Sequence, residues 1–275
     1  MTIAELHGKI AGPGRYPVDS SEDLLTSNVF GAMRYMPPEL GIIPFFSTAQ
    51  ALDGSHFTVG DHVSRVDWSF WPYPDFSRGN ACEPDLVIGF HTPEGLMVAM
   101  VEVKYRSDKS SHPDEEELPR DQLARELDSL QALSDPASFL GWPTSAAITG
   151  KALIYVTQDA AMPRDSIRES LQEYRLKRTV DSSDMIYWTS WRTLFRSMRD
   201  SLSDTDNDFY RVVINDIMSL MSKKSLKGFD GMAKPTFDFP YDLFSFYARP
   251  DKPYDWPASA VSAALLLDFK YRQRK

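Results

Sequence analysis

The chain has 275 residues, 42% hydrophobic and 25% charged, with one cysteine and a formal net charge of -9. That length suits one large domain or two small ones; the lone Cys82 excludes an intrachain disulfide and fits a reducing, cytoplasmic setting. An acidic balance is not the footprint of a protein that coats nucleic acid nonspecifically, so contact with a polyanion has to be local, metal-bridged or helped by a partner.

The opening MTIAELHGKI lacks the layout of a secretory signal, and no apolar run reaches the roughly 18 residues of a membrane span, so no membrane is expected among the partners. Residues 1–19 read as a Gly- and Pro-containing lead-in. Ser20 or Ser21 then suits an N-cap, with Glu22 and Asp23 in the first turn of a helix. Its apolar stripe runs Leu24, Leu25, Val29, Ala32, Met33 and Met36, and Pro37-Pro38 stops it. A strand is predicted near 63–71, and two stronger ones at about 85–90 and 96–105. Residues 107–119 read as an exposed loop. A helix over 120–133 carries Leu123, Leu127, Leu130 and Leu133 on one stripe. A buried strand at 150–158, a helix at 164–178, a core strand at 184–190 and helices near 191–200 and 206–223 follow. The stretch 228–257 is rich in aromatics, Gly and Pro and reads as irregular; the closing segment reads as a helix with a basic end. This order predicts an α/β layered domain with a mixed sheet. It divides into a core over 20–200 and a helical, aromatic-rich extension over 201–275 packed on that core.

EPDLVIGFHTPEGLMVAMVEVKY, residues 83–105, poses the central question. Charges stand at the outer ends of two apolar strands, where an uncompensated charge costs several kcal/mol. If Thr92–Gly95 form the loop, His91 faces Leu96, and the same register faces Asp85 with Glu102 and Glu83 with Lys104. Two opposed carboxylates repel, and a divalent cation between them removes that penalty. Mg²⁺ prefers carboxylate and carbonyl oxygens. Asp85, Glu102 and the Val103 carbonyl would supply a half-site, with Lys104 beside it to orient or deprotonate a water.

Pro84-Asp85 followed by Glu102-Val103-Lys104, with sixteen residues between the two acids, resembles the motif of the PD-(D/E)xK nuclease superfamily. The order of helix, three-strand meander, helix and strand over roughly 20–190 is similar to the restriction-endonuclease-like core. The resemblance implies phosphodiester hydrolysis with Mg²⁺ or Mn²⁺, leaving a 5′-phosphate. It implies metal roles for Asp85, Glu102 and Val103, a water-positioning role for Lys104, and a place in the metal shell for Glu22 of the first helix. Relatives similar to the RecB and Cas4 nucleases carry a Gln on the next helix, matched by Gln122, and a Tyr four residues later. Glu126 stands at that Tyr position. DNA is the expected substrate, in bacterial or phage DNA processing or defence, with a protein partner or a second copy of the chain assisting.

Other features carry less chemistry. Asp67 on the neighbouring strand is a candidate shell acid or an exposed strand residue. The five histidines have no zinc-site spacing and read as surface or loop residues. Arg164, Arg168, Arg175, Lys177 and Arg178 on one helix, and Lys270, Arg272, Arg274 and Lys275 at the end, could follow a phosphate backbone or be solvated surface. Two alternatives to a nuclease stand beside it. One is a catalytically silent or partner-gated subunit used for binding and assembly; the other is a structural Lys–Glu ladder.

Overall fold

In the computed structural model, residues 22–60, 62–72, 82–105, 121–177 and 186–228 are described. Among them are five strands and seven α-helices. In chain order these are α1 (Glu22–Met33), α2 (Ile42–Phe46), β1 (Arg65–Phe70), β2 (Leu86–Thr92), β3 (Gly95–Val103), α3 (Gln122–Ala132) and α4 (Pro136–Leu140). Then come β4 (Ile148–Thr157), α5 (Arg164–Lys177), β5 (Ile186–Ser190), α6 (Trp191–Ser203) and α7 (Asp208–Lys223). The strands form one open sheet in the order β1-β2-β3-β4-β5. The first three are an antiparallel meander, and β4 and β5 continue it in parallel. The chain is therefore an α/β protein with a mixed sheet.

The hairpin register is the one read from the sequence: His91 pairs with Leu96 and Leu86 with Val101. The loop itself is shorter than expected. Thr92 already pairs with Gly95, leaving Pro93 and Glu94 as the turn. Gly95 sits at φ 140, and a Cβ there would come within 2.6 Å of the Ala147 carbonyl, so the turn requires glycine. The ladder ends at Leu86–Val101. Asp85 thus stands just before β2 and Lys104 just after β3, and the facing pairs expected at Asp85–Glu102 and Glu83–Lys104 are not part of it.

Strand alternation sorts the core into two layers. Leu86, Ile88, Ala99, Val101 and Val103 face α1, α2, α6 and α7. Val87, Val98, Met100, Leu153 and Tyr155 face α3 and α5, where the stripe Leu123, Leu127, Leu130 and Leu133 is fully buried. Glu102 and Lys104 share the parity of Met100, so they belong to the α3 side.

Some elements differ from expectation. Helix α1 stops at Met33, and Met36 is buried from the turn that follows. The short helices α2 and α4 were not anticipated. Pro44 lies in the first turn of α2, where no helical N–H is needed. The compact unit containing the site spans Met1–Phe229 and so includes α7; Asp230–Lys275 form a second unit. The lead-in, the loop at 107–119, the aromatic-rich stretch from residue 229 and the basic closing segment lie outside the described residues. So do the proposed caps Ser20 and Ser21. No described helix is long and apolar enough to cross a membrane.

Candidate metal centre and active site

The site forms at the carboxyl edge of β3, where α1 and α3 both begin. Asp85 is fixed by three contacts. Its Oδ2 accepts the Val103 N–H at 2.8 Å, its Oδ1 accepts the Trp71 indole N–H at 3.1 Å, and its own carbonyl accepts the Trp71 backbone N–H at 3.0 Å. Glu102, on the last turn of the strand's pleat, accepts from both Lys104 Nζ and Gln122 Nε2. Gln122 can reach because Asp121 caps α3, its carboxylate accepting the Ala124 N–H at 3.2 Å, which sets Gln122 as the first helical residue. Glu22 comes from the opposite side of the sheet. Its Oε2 accepts the Tyr105 N–H at 2.8 Å and its Oε1 accepts from Lys104 Nζ at 3.4 Å.

Oxygens of Glu22, Asp85 and Glu102 lie within 4.8 Å of one another. Asp85 is 7% exposed, Glu102 2% and Lys104 8%. Burial raises the Asp85 carboxyl well above its usual range, with Glu102 adding to it and the Val103 N–H opposing. Burial likewise raises Glu102 well above its range, with Glu126 adding to it and Lys104 opposing. Burial pulls the Lys104 ammonium down, but Glu102, Glu22 and Asp85 outweigh it and hold the proton more tightly than usual. In this arrangement Lys104 is a fixed cation and donor rather than a base.

Six sequence-predicted residues therefore meet at one edge: Glu22, Asp85, Glu102, Val103, Lys104 and Gln122. Glu22 is a first-turn helix acid whose carboxylate also stands in the acidic cluster. The Val103 side chain faces the other layer, and its N–H is taken by Asp85. Lys104 pairs with Glu102 and Glu22, not with Glu83, which corrects the ladder expected from register. Asp67 does not join the cluster. It is half-buried between His91, at 2.7 Å, and Arg65, at 2.7 Å, away from the acidic cluster and not a freely exposed strand residue. His91 correspondingly belongs to β2 rather than to a loop. Cys82 is buried against Ser129, and burial pushes its thiol up, which leaves it a poor nucleophile. Arg168 is exposed and pairs with Asp165 of its own helix.

Two residues were missed. Glu126 is 0% exposed, one turn after Gln122, and its Oε1 accepts from Gln122 Nε2 at 3.1 Å. Its Oε2 is buried and takes no hydrogen bond among the described residues. Burial pushes its carboxyl up to about 7, with Glu102 and Gln122 opposing. The i,i+4 spacing from Gln122 is the signal that could have found it. Trp71 is the second. It is buried and holds φ 43, a left-handed backbone that a bulky residue adopts at a cost of about 1–3 kcal/mol. No sequence pattern flags such a conformation.

A hard divalent cation fits this donor set. Glu22, Asp85 and Glu102 lie together beside Lys104 with buried Glu126 next to them, and the Glu126 Oε2 takes no hydrogen bond among the described residues. Trp71→Phe tests the support beneath it. The smaller phenyl ring takes the N–H away from Asp85 and leaves part of the buried indole volume empty. Mn²⁺ affinity is expected to fall about 10–100-fold, the usual cost of losing an outer hydrogen bond to a ligand. Unchanged affinity by calorimetry would show that the indole only fills space.

Comparison with protein-family models, curated proteins and solved structures gives no match.

Proposed function

We propose that this protein is a Mg²⁺- or Mn²⁺-dependent nuclease with a restriction-endonuclease-like core, acting on DNA. The observation that carries this reading is the convergence of Asp85, Glu102 and Lys104 with Glu22 in one desolvated cluster at the carboxyl edge of β3. The element order supports it: a helix, an antiparallel three-strand meander, a helix and a parallel strand.

Asp85, Glu102 and Glu22 would hold the cation, together with the Val103 carbonyl. When bound, it polarises a phosphoryl oxygen and offsets the charge that grows in an in-line displacement. Trp71 and the Val103 N–H hold the Asp85 carboxylate in one orientation, so the site is set before substrate arrives. Gln122 does the same for Glu102. Lys104 donates to the attacking water and orients it toward phosphorus. The water oxygen bonds to phosphorus as the bond to the 3′ oxygen breaks; the water gives up a proton to solvent and the departing 3′ oxygen takes one from solvent, leaving a 5′-phosphate and a 3′-hydroxyl.

The test is incubation of supercoiled plasmid, linear duplex, single-stranded DNA and RNA with Mg²⁺ or Mn²⁺, wild type beside Asp85→Ala. Cleavage that needs metal and is lost in the variant is expected, and the substrate that is cut defines the class. Cleavage retained by a pure Asp85→Ala protein would overturn the assignment. The net charge of -9 favours one second reading, a subunit that cuts only when a partner delivers the substrate. That reading expects cation binding without cleavage by the isolated chain.

A further inference from the structure

The carboxylates that would hold a cation repel a phosphate backbone, and the chain is acidic as a whole. A polyanionic substrate therefore needs a positive surface beside the site. The turn after α7 provides it. Tyr105, whose N–H fixes Glu22, donates its hydroxyl to the Lys224 carbonyl at 3.3 Å, and the Lys224 ammonium lies 5.7 Å from its ring centre. Leu226 is buried and pins the turn. Beyond it the Lys227 ammonium lies 5.5 Å from the Phe195 ring centre. Arg192 donates Nη1 to the Lys227 carbonyl at 3.2 Å and Nε to the Gln158 carbonyl at 3.0 Å. Gln158 follows β4 and Arg192 follows β5, so these groups continue the carboxyl edge on which Lys104 follows β3. Lys223 and Lys227 are exposed and have no acidic partner among the described residues. Besides the carboxylates of the site, Asp159 also stands on this edge, its carboxylate accepting the Thr157 hydroxyl at 2.8 Å.

We infer that Lys223, Lys224, Lys227 and Arg192 form the track for a nucleic-acid phosphate backbone, leading it along the edge of the sheet to Lys104. This rests on the nuclease reading for the identity of the polyanion. Its parts fit the role. Lys223, the last residue of α7, and Lys227, on the anchored turn, have no acidic partner among the described residues, and Arg192 is held rigid by two carbonyls. The helices α1 and α6 begin at the same edge, and their N-terminal dipoles favour phosphate there.

The track is tested by binding of a fluorescently labelled DNA duplex across a salt series, in a Glu102→Gln background so that no strand is cut. Lys223→Gln/Lys227→Gln is compared with Arg168→Gln/Arg175→Gln, which removes the same net charge from the exposed face of α5. The first pair is expected to weaken binding on the order of tenfold and to flatten the slope of log K against log salt by about 0.9 per lost contact. The second pair is expected to leave both nearly unchanged. Equal losses in the two pairs, no loss in either, or no duplex binding in the parent would overturn the track. Cleavage is read separately in the native site. Metal-dependent cutting that ignores the lysines would leave the nuclease and remove the track; lysine-dependent binding without cutting would do the reverse.

Discussion

Glu102→Gln is expected to abolish metal-dependent cleavage, by on the order of a thousandfold or more, and to raise the melting temperature of the metal-free protein. Both effects have one cause. The Gln side chain keeps the shape and an oxygen that accepts from Lys104 and Gln122, but it removes a charge from a site where burial and Glu126 oppose that charge. The pH dependence follows by sign. A carboxyl whose folded pKa is raised binds its proton in the folded state when the unfolded chain has released it. Its stabilising contribution is full below the ordinary carboxylate range and is lost as pH rises through the folded value. For Glu126 that window closes at about pH 7. Metal-free wild type should therefore lose stability on going from mildly acidic to neutral solution, and the advantage of Glu102→Gln should grow over the same interval. Each kcal/mol gained is worth about 2–4 °C in a chain of this size. Thermal unfolding across pH with chelator present measures it. A melting temperature lowered equally at every pH would show that Glu102 is a stabilising ion-pair member and not a strained ligand.

The second large effect is expected at Lys104. Its ammonium contacts Glu102 and Glu22 inside a nearly dry pocket. Lys104→Met keeps most of the stem and leaves three carboxylates without their cation. Removing one member of a buried pair costs about 3–5 kcal/mol, so the metal-free variant should unfold far below wild type at neutral pH. Saturating Mn²⁺ should restore most of that loss, because a divalent charge can replace the ammonium. Cleavage should stay low even then, since nothing orients the water. Stability and activity thus separate in one protein. Instability that Mn²⁺ does not relieve would place Lys104 in the packing of the fold and not in the electrostatics of a cation site.

The sequence made some of this legible, and the reasons are local. Strand alternation and a loop read as Thr92–Gly95 give the same register as the observed two-residue turn, which is why Asp85, Glu102 and Lys104 were found together. Gln122 was reachable only through the resemblance to RecB- and Cas4-like nucleases; the Asp121 cap that sets the start of α3 emerges from the structure. Glu126 was passed over because a glutamate on a helix is seldom fully buried, and only its neighbours Glu102 and Gln122 reveal why this one is. Trp71 depends on a left-handed backbone that no residue pattern encodes. Asp67 was misjudged because its partners, His91 across the sheet and Arg65 two residues away, are set by strand pairing and not by composition. The helices α2 and α4 are too short to show periodicity. The lysines around the end of α7 form no pattern in the sequence, and only the contacts of the Lys224 and Lys227 carbonyls with Tyr105 and Arg192 tie that turn to the sheet edge.

The most direct measurement is a calorimetric titration of Mn²⁺ into wild type and Glu102→Gln in chelator-free buffer. Saturable binding by wild type that disappears in the variant is the expected result, and it would establish the buried carboxylates as a cation site. Absence of binding by folded wild type would contradict it and leave Asp85, Glu102 and Glu22 as a structural cluster built around Lys104.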